Sequence, residues 1–385
     1  MPTTEQITEA LRPVEDPELR RSIVDLGMVR DIGIAPDGTV SVQIALTVAG
    51  CPLRNEIQNR VTGAVAPLPG VTGVSLDFTV MTDQEREGLR VRLHGDGHGA
   101  SGAGQSGGQQ GHGHAEGRAV PFNQPGNKTR PLLISSGKGG VGKSSVTVNL
   151  AVALASQGYS VGVVDADIYG YSVPRMLGAD RDPVVIDQML VPPENHGVRC
   201  ISIGYFVPDG QPVIWRGPML HKALEQFLAD VFWDDPDFLI IDMPPGTGDI
   251  ALSLSQYLPR GEVYVVTTPQ LAAQKVARLS AAMAEEVHLP VKGIIENMSW
   301  FTGDDGKRYE IFGAGGGQEL ADELDVPLLG QLPLVSELRA GGDSGEPITV
   351  AHPDSEVAKA FQAIAHRIAT ELKPKKVFSA ELKVN

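Results

Sequence analysis

The chain has 385 residues, with 32 Lys and Arg against 47 Asp and Glu, a net charge of −15. Hydrophobic residues at 42% and charged residues at 21% exclude a wholly disordered chain, and the acidic balance argues against a general nucleic-acid binder, whose phosphate contacts need clustered cations. Two cysteines, Cys51 and Cys200, exclude a disulfide scaffold and fit a reducing compartment.

Aromatics make up 5% of the chain while Gly numbers 45, so the core must be built from Val, Ile, Leu and Ala, as in an α/β protein with tight turns. Met1 to Arg20 lacks a charged-then-apolar signal pattern, and no uncharged apolar run approaches ~18 residues. The expected setting is soluble and cytoplasmic, with no membrane and no nucleic acid as partner.

Residues 1–93 form the first expected unit, a small α+β domain. Glu5 to Leu11 reads as a helix, and Asp16 to Leu26 as a second, with Asp16 as N-cap and Pro17 in the first turn. Val29–Ile34 and Val40–Val48 alternate as strands around Pro36-Asp37-Gly38. Gly50-Cys51-Pro52 then introduces a helix over Leu53–Val65, and Val71–Val80 returns as a strand, giving an ααββαβ order.

Residues 94–129 read as a Gly/His/Gln-rich linker. Between His94 and Arg118, ten of 25 residues are Gly and none is a large apolar residue, so the segment cannot repay the entropy of folding. Its histidines, His94, His98, His112 and His114, invite a metal-insertion reading, but such a tether offers ligands no fixed geometry.

The third unit spans residues 130–372, with a tail at 373–385. Its strands, Leu132–Ser135, Val161–Asp165, Phe238–Asp242, Val263–Thr267, Val291–Asn297 and Pro327–Gln331, are mostly continuous apolar runs separated by helices. That pattern predicts a doubly wound, mostly parallel sheet covered on both faces. The amphipathic run Val357–Leu372 is expected to pack on that sheet.

The strand at Leu132 runs into Gly137-Lys138-Gly139-Gly140-Val141-Gly142-Lys143-Ser144-Ser145, followed by the helical run to Gln157 and a stop at Gly158. This is G-x-x-x-x-G-K-[ST] between a strand and a helix, the context that makes the motif specific for phosphate. Glycines let backbone N–H groups turn inward around phosphate oxygens, and the helix N-terminus adds positive potential. Lys143 is expected on the β- and γ-phosphates of ATP, and the Ser144 hydroxyl on Mg²⁺. Asp165, Asp167 and Asp242 stand at or just past strand C-termini, where open α/β sheets hold ligands.

Lys138 at the start of the loop makes the deviant Walker A pattern, and the chain resembles the P-loop (SIMIBI-like) ATPases that place septa and partition DNA. That resemblance implies a homodimer in which Lys138 reaches the partner's nucleotide. It also implies that Asp167 activates the attacking water, with Asp165 and Asp242 near Mg²⁺. By the same resemblance the Gly246 amide senses the γ-phosphate and Asn297 bonds the adenine.

Further stretches, Asp165–Gly170, Trp215–Met219, Asp242–Asp249, Glu296–Ser299 and Ile311–Gly317, together resemble the Mrp family of ATP-binding iron–sulfur cluster carriers. Asp16-Pro-Glu-Leu, Ile23–Gly27 and Gly50-Cys51-Pro52 resemble the MIP-like iron–sulfur assembly domain often fused ahead of it. The resemblance implies ATP hydrolysis, a bound iron–sulfur cluster, and iron–sulfur apoproteins and assembly machinery as partners.

One departure matters. The carriers hold a Cys-x-x-Cys pair between the last two stretches, whereas this chain reads Trp300 to Glu310 without cysteine, with Gly303 in the place of the first. Cys51, before Pro52 at a helix start, is the thiol left for a cluster, and Cys200 in an apolar strand reads as core. The alternative reading is a metal-free, nucleotide-switched positioning ATPase.

Overall fold

The computed structural model describes residues 1–47, 53–95, 120–124, 126–167, 170–207, 217–246 and 249–374. In chain order the elements begin with α1 (Thr4–Leu11), β1 (Val29–Ile34), β2 (Thr39–Leu46), α2 (Arg54–Val65), β3 (Gly73–Val80) and α3 (Asp83–Gly95). Next come β4 (Arg130–Ser136), α4 (Lys143–Ser156), β5 (Val161–Asp165), α5 (Val173–Leu177), β6 (Val184–Ile186) and β7 (Met189–Val191). They continue with β8 (Glu194–Asn195), β9 (Val198–Ser202), α6 (Gly217–Ala229), β10 (Phe238–Asp242), α7 (Asp249–Tyr257) and β11 (Glu262–Thr267). The chain then forms α8 (Leu271–Glu286), β12 (Val291–Glu296), β13 (Phe301–Thr302), β14 (Arg308–Tyr309) and α9 (Gly316–Glu323). β15 (Leu328–Gln331), α10 (Ser336–Ser344), α11 (Ile348–Ala351) and α12 (Glu356–His366) complete it.

By contact the chain divides into two compact units, Met1–Glu116 with Val184–Val191, and Gly117–Pro183 with Pro192–Asn385. In the first, β2 lies between β1, antiparallel, and β3, parallel. A capping box starts α1: Gln6 N–H donates to Thr3 Oγ1 and Thr3 N–H donates to Gln6 Oε1. Ile7, Leu11, Val40, Val42, Ile44, Ile57 and Val61 fill the core beneath the sheet.

The expected helix over Asp16–Leu26 is not formed; the segment is a series of turns. Asp16 does act as a cap, its Oδ1 accepting the Glu18 and Leu19 N–H groups at 2.9 Å each. The turn goes no further because Arg20 has φ +52°, and Glu15 then pairs antiparallel with Ser22. Leu19, Ile23 and Leu26 still reach the core, so the apolar spacing served burial without a helix. The order is therefore αββαβα, closed by α3, whose sequence is so polar that Leu89 is its one fully buried apolar side chain.

The second unit carries an eight-stranded sheet in the order β15-β12-β11-β4-β10-β5-β9-β8. Every neighbouring pair is parallel except β8 with β9, a two-residue antiparallel edge. The strands Val161–Asp165, Phe238–Asp242 and Glu262–Thr267 are buried along their whole length, which is why they read as unbroken apolar runs. The unit starts ahead of Arg130: Val120 and Phe122 are buried, and Arg260 donates to the carbonyls of Phe122 and Asn127.

β4 sits at the centre, between β11 and β10, so the chain leaves it at the point where the strand order reverses. α12 lies over α4 and β15, burying Val357, Phe361 and Ile364 as the amphipathic run requires. At the other end of the sheet, Arg130 ties its strand to Glu262 (2.7 Å) and to the Ile368 carbonyl (2.7 Å). The C-terminal ends of β4, β5, β10, β11 and β12 thus share one edge, and every candidate residue of the described sheet stands there.

Candidate phosphate and nucleotide site

The loop from β4 to α4 is shaped by two glycines. A Cβ on Gly137 would collide with the backbone of Val276 and Ala277, so the loop starts pressed against α8. Gly142 has φ +83° and a Cβ there would strike the Asn297 amide, so only glycine fits immediately ahead of Lys143. Among the described residues no acceptor takes the amide protons of Gly139, Gly140 and Gly142. A row of unused N–H groups ahead of a 14-residue helix is the chemistry of an anion cradle.

Beneath the loop, three side chains of α4 converge on Asp242, which is fully buried at the end of β10. Lys143 Nζ lies 2.7 Å from Asp242 Oδ2. The Ser144 hydroxyl donates to the same oxygen at 2.6 Å, and Thr147, one helical turn after Lys143, donates to Oδ1 at 2.6 Å. Asp167, past the end of β5, holds Lys143 from the other side at 3.5 Å. Two carboxylates thus face a lysine with 6% exposure, the pairing that a buried amine requires.

Asp165 plays a different part. Its carboxylate is buried and accepts the Ser202 hydroxyl (3.0 Å) and the backbone N–H groups of Asp167 (3.2 Å) and Val173 (3.4 Å). Burial, then the charge of Asp242, pushes its pKa well above the usual carboxylate range, so it braces the turn leading to α5. Asp167 is also raised, by burial first, with Lys143 opposing. A half-buried carboxylate with raised proton affinity suits a base.

The remaining expected residues stand around this core. Lys138 Nζ donates to Gln270 Oε1 at 3.1 Å, away from Asp242. Gly246, with φ +90°, donates its N–H to the Ser136 carbonyl at 2.8 Å, so reaching a phosphate requires it to exchange that partner. Asn297 Nδ2 donates to the Val141 carbonyl at 2.9 Å from below the loop. Its Oδ1 is buried without a partner among the described residues, an orphan acceptor. Sequence reading missed Thr147, Ser202 and Gln270; for Thr147 the signal was present, four residues after Lys143 and so on the same helix face.

Cys51 lies outside the described residues, as do residues 96–119 and Trp215. Cys200 is fully buried in β9 and burial pushes its thiol pKa up, which agrees with a core role. The cysteine-free segment forms a small hairpin in which β13 pairs antiparallel with β14. Arg308 stacks over Trp300 at 4.2 Å and pairs with Glu356 at 2.6 Å. A Cβ on Gly303 would sit 2.8 Å from the Tyr309 ring. No helix among the described residues is long and apolar enough to cross a membrane.

A glycine loop leaving the central strand of a parallel sheet, with a helix-borne lysine and serine on a buried strand-end aspartate, defines a P-loop NTPase. The chain belongs to the NUBPL iron-transfer P-loop NTPase family, which matches residues 127–369, and the iron–sulfur cluster assembly protein family matches residues 4–76.

Two relatives are named iron–sulfur cluster carrier proteins. That of Mycobacterium tuberculosis is 48% identical over 370 residues, covering 94% of this chain and 92% of its own. That of Synechocystis is 43% identical over 377 residues, covering 96% and 98%. Among solved structures, a nucleotide-binding protein in complex with ADP from Archaeoglobus fulgidus is 33% identical, with a TM-score of 0.52, and covers 61% of this chain and 93% of that one.

Proposed function

We propose that this chain hydrolyses ATP in order to bind iron–sulfur clusters and pass them to apoproteins, as a nucleotide-dependent homodimer in the cytoplasm. In this reading residues 1–93 are an assembly-type domain, a tether follows from 94, the ATPase runs to 372 and takes in the buried Val120 and Phe122, and 373–385 are a tail. The observation that carries it is the convergence of Lys143 and Ser144 on Asp242, with Asp167 against Lys143, under the amides of Gly139, Gly140 and Gly142.

The loop amides bind the phosphates, and Lys143 exchanges its contact with Asp242 for the β- and γ-oxygens. The oxygens of Ser144 and Asp242, hard donors side by side, fit Mg²⁺, which when bound neutralises phosphate charge. Asp165 braces the neighbouring turn within reach of that pair. Asp167 takes the proton of the attacking water, its raised affinity for a proton supporting that role. The Gly246 amide turns from Ser136 to the γ-phosphate, Asn297 Oδ1 accepts from adenine, and Ser145, the third residue of α4, belongs with the nucleotide-binding loop. Lys138 leaves Gln270 for the nucleotide of the second copy.

The cluster is cargo. With no cysteine at Trp300–Glu310, Cys51 is the thiol assigned to it, and one per chain leaves further ligands to the client or a small thiol. That same gap favours a second reading, a metal-free ATPase whose nucleotide state switches partner binding. Anaerobic reconstitution of the full chain with iron and sulfide separates the two. A visible-absorbing species that disappears in Cys51→Ser supports the carrier; a colourless protein that still hydrolyses ATP favours the switch.

A further inference from the structure

α7 follows the Gly246 turn after two residues, so its seat determines where the Gly246 amide lies. Ile250, Ala251 and Leu254 bury its apolar face, which fixes the depth of the helix but resists sliding and rotation poorly, since apolar contacts have no direction. One polar side chain of α6 supplies direction. The half-buried ring of His221 meets α7 at two points one turn apart: Nδ1 lies 2.9 Å from the Ser253 hydroxyl, and Nε2 bonds the Tyr257 hydroxyl. The imidazole also lies against the Tyr257 ring, with centroids 4.8 Å apart.

Burial and the charge of Glu225 raise the Tyr257 pKa, so its hydroxyl stays protonated beside Nε2. Both ring nitrogens are used, each against a hydroxyl of α7. None of the three residues takes part in the chemistry set out above.

We propose that His221 is a positioning residue for γ-phosphate recognition, acting through Ser253 and Tyr257 to set the register of α7 and with it the Gly246 amide. This rests on the reading of Gly246 as the group that meets the γ-phosphate. Displacing an amide by about 1 Å is enough to cost up to a hundredfold in a reaction that depends on alignment. The diphosphate is held by the 137–144 loop, which His221 does not touch, so the two nucleotides must respond differently.

The test compares wild type, His221→Leu, His221→Gln and Ser253→Ala/Tyr257→Phe in the full chain, by calorimetry with ADP and with AMP-PNP and by steady-state ATP turnover. His221→Leu should keep ADP affinity within about twofold, weaken AMP-PNP about tenfold and lower kcat at least about tenfold. His221→Gln, whose amide reaches the Nε2 position, should return both values to within about threefold of wild type.

The Ser253/Tyr257 double variant should match His221→Leu, and combining all three should lose nothing more. If His221→Leu lowers only the melting temperature, or weakens ADP and AMP-PNP alike, or is not rescued by Gln, the residue is structural and the proposal fails. A wild type without turnover would count against the ATPase reading instead, and the AMP-PNP to ADP ratio would still decide the case of His221.

Discussion

Replacing Lys143 by alanine has two consequences that can be measured separately. In the absence of nucleotide, the change leaves the Asp242 carboxylate fully buried beside Asp167 and Asp165, with no cation in contact. Breaking one side of a buried ion pair costs about 3–5 kcal/mol. Asp242 retains the Ser144 and Thr147 hydroxyls, each at 2.6 Å, which places the expected loss at the low end. For a unit of this size ~3 kcal/mol lowers the melting temperature by about 6–12 °C.

In the presence of nucleotide at about 100 times its Kd, wild type gains ~2.7 kcal/mol by linkage. The variant should gain none, because the cation that replaces Asp242 with phosphate is gone. Circular dichroism melts with and without ADP read both effects in one experiment. Lys143→Met with Asp242→Asn should recover most of the stability and none of the nucleotide response. A Lys143→Ala melt within about 2 °C of wild type, or one still raised by ADP, would refute the buried-pair reasoning or the phosphate-loop assignment respectively.

Asp167→Ala should hold nucleotide within about threefold of wild type and lose about 10²–10⁴ in turnover, as for removal of a positioned base; unchanged hydrolysis moves that role elsewhere. Gly142→Ala forces a side chain into φ +83° and against Asn297, so ADP affinity should fall at least about tenfold, checked by calorimetry. In the first unit, burial raises the Asp16 pKa although the Glu18 and Leu19 amides oppose it. Its folded-state pKa therefore lies above the unfolded value of about 3.9, so its contribution is full below that pH and is lost as pH rises through the folded pKa. Urea midpoints should show wild type losing stability relative to Asp16→Asn as pH is raised from about 4; the reverse slope would refute the sign.

The P-loop half was legible because its strands are buried on both faces. Phe238–Asp242 and Val161–Asp165 have no polar alternation to confuse, and the glycine spacing at 137–142 has one steric solution. The site's charged residues were legible for the same reason, each ending a strand or starting α4. What was not legible depends on pairing across distance. Ser202 and Gln270 look like ordinary loop residues until β9 and α8 bring them beside Asp165 and Lys138.

In the first unit, Asp16-Pro17 carries the N-cap and first-turn proline of a helix start, yet Arg20 in the left-handed region ends the turn, and Leu19, Ile23 and Leu26 are buried without a helix. The opposite error hid α3, since a helix lacking an apolar stripe has no period to detect.

The hairpin after Trp300 bears on any attempt to graft a cluster ligand set onto this protein. A pair spaced three apart from Gly303 would fall on Gly306, whose φ of +74° belongs to the same turn and whose N–H donates to the Gly303 carbonyl at 2.9 Å. A thiol at the first position displaces the Tyr309 ring, and one at the second strains the backbone. Cysteines introduced there by two substitutions would unmake the turn meant to present them, so an engineer must replace the entire loop, Tyr309 and Asp305 included.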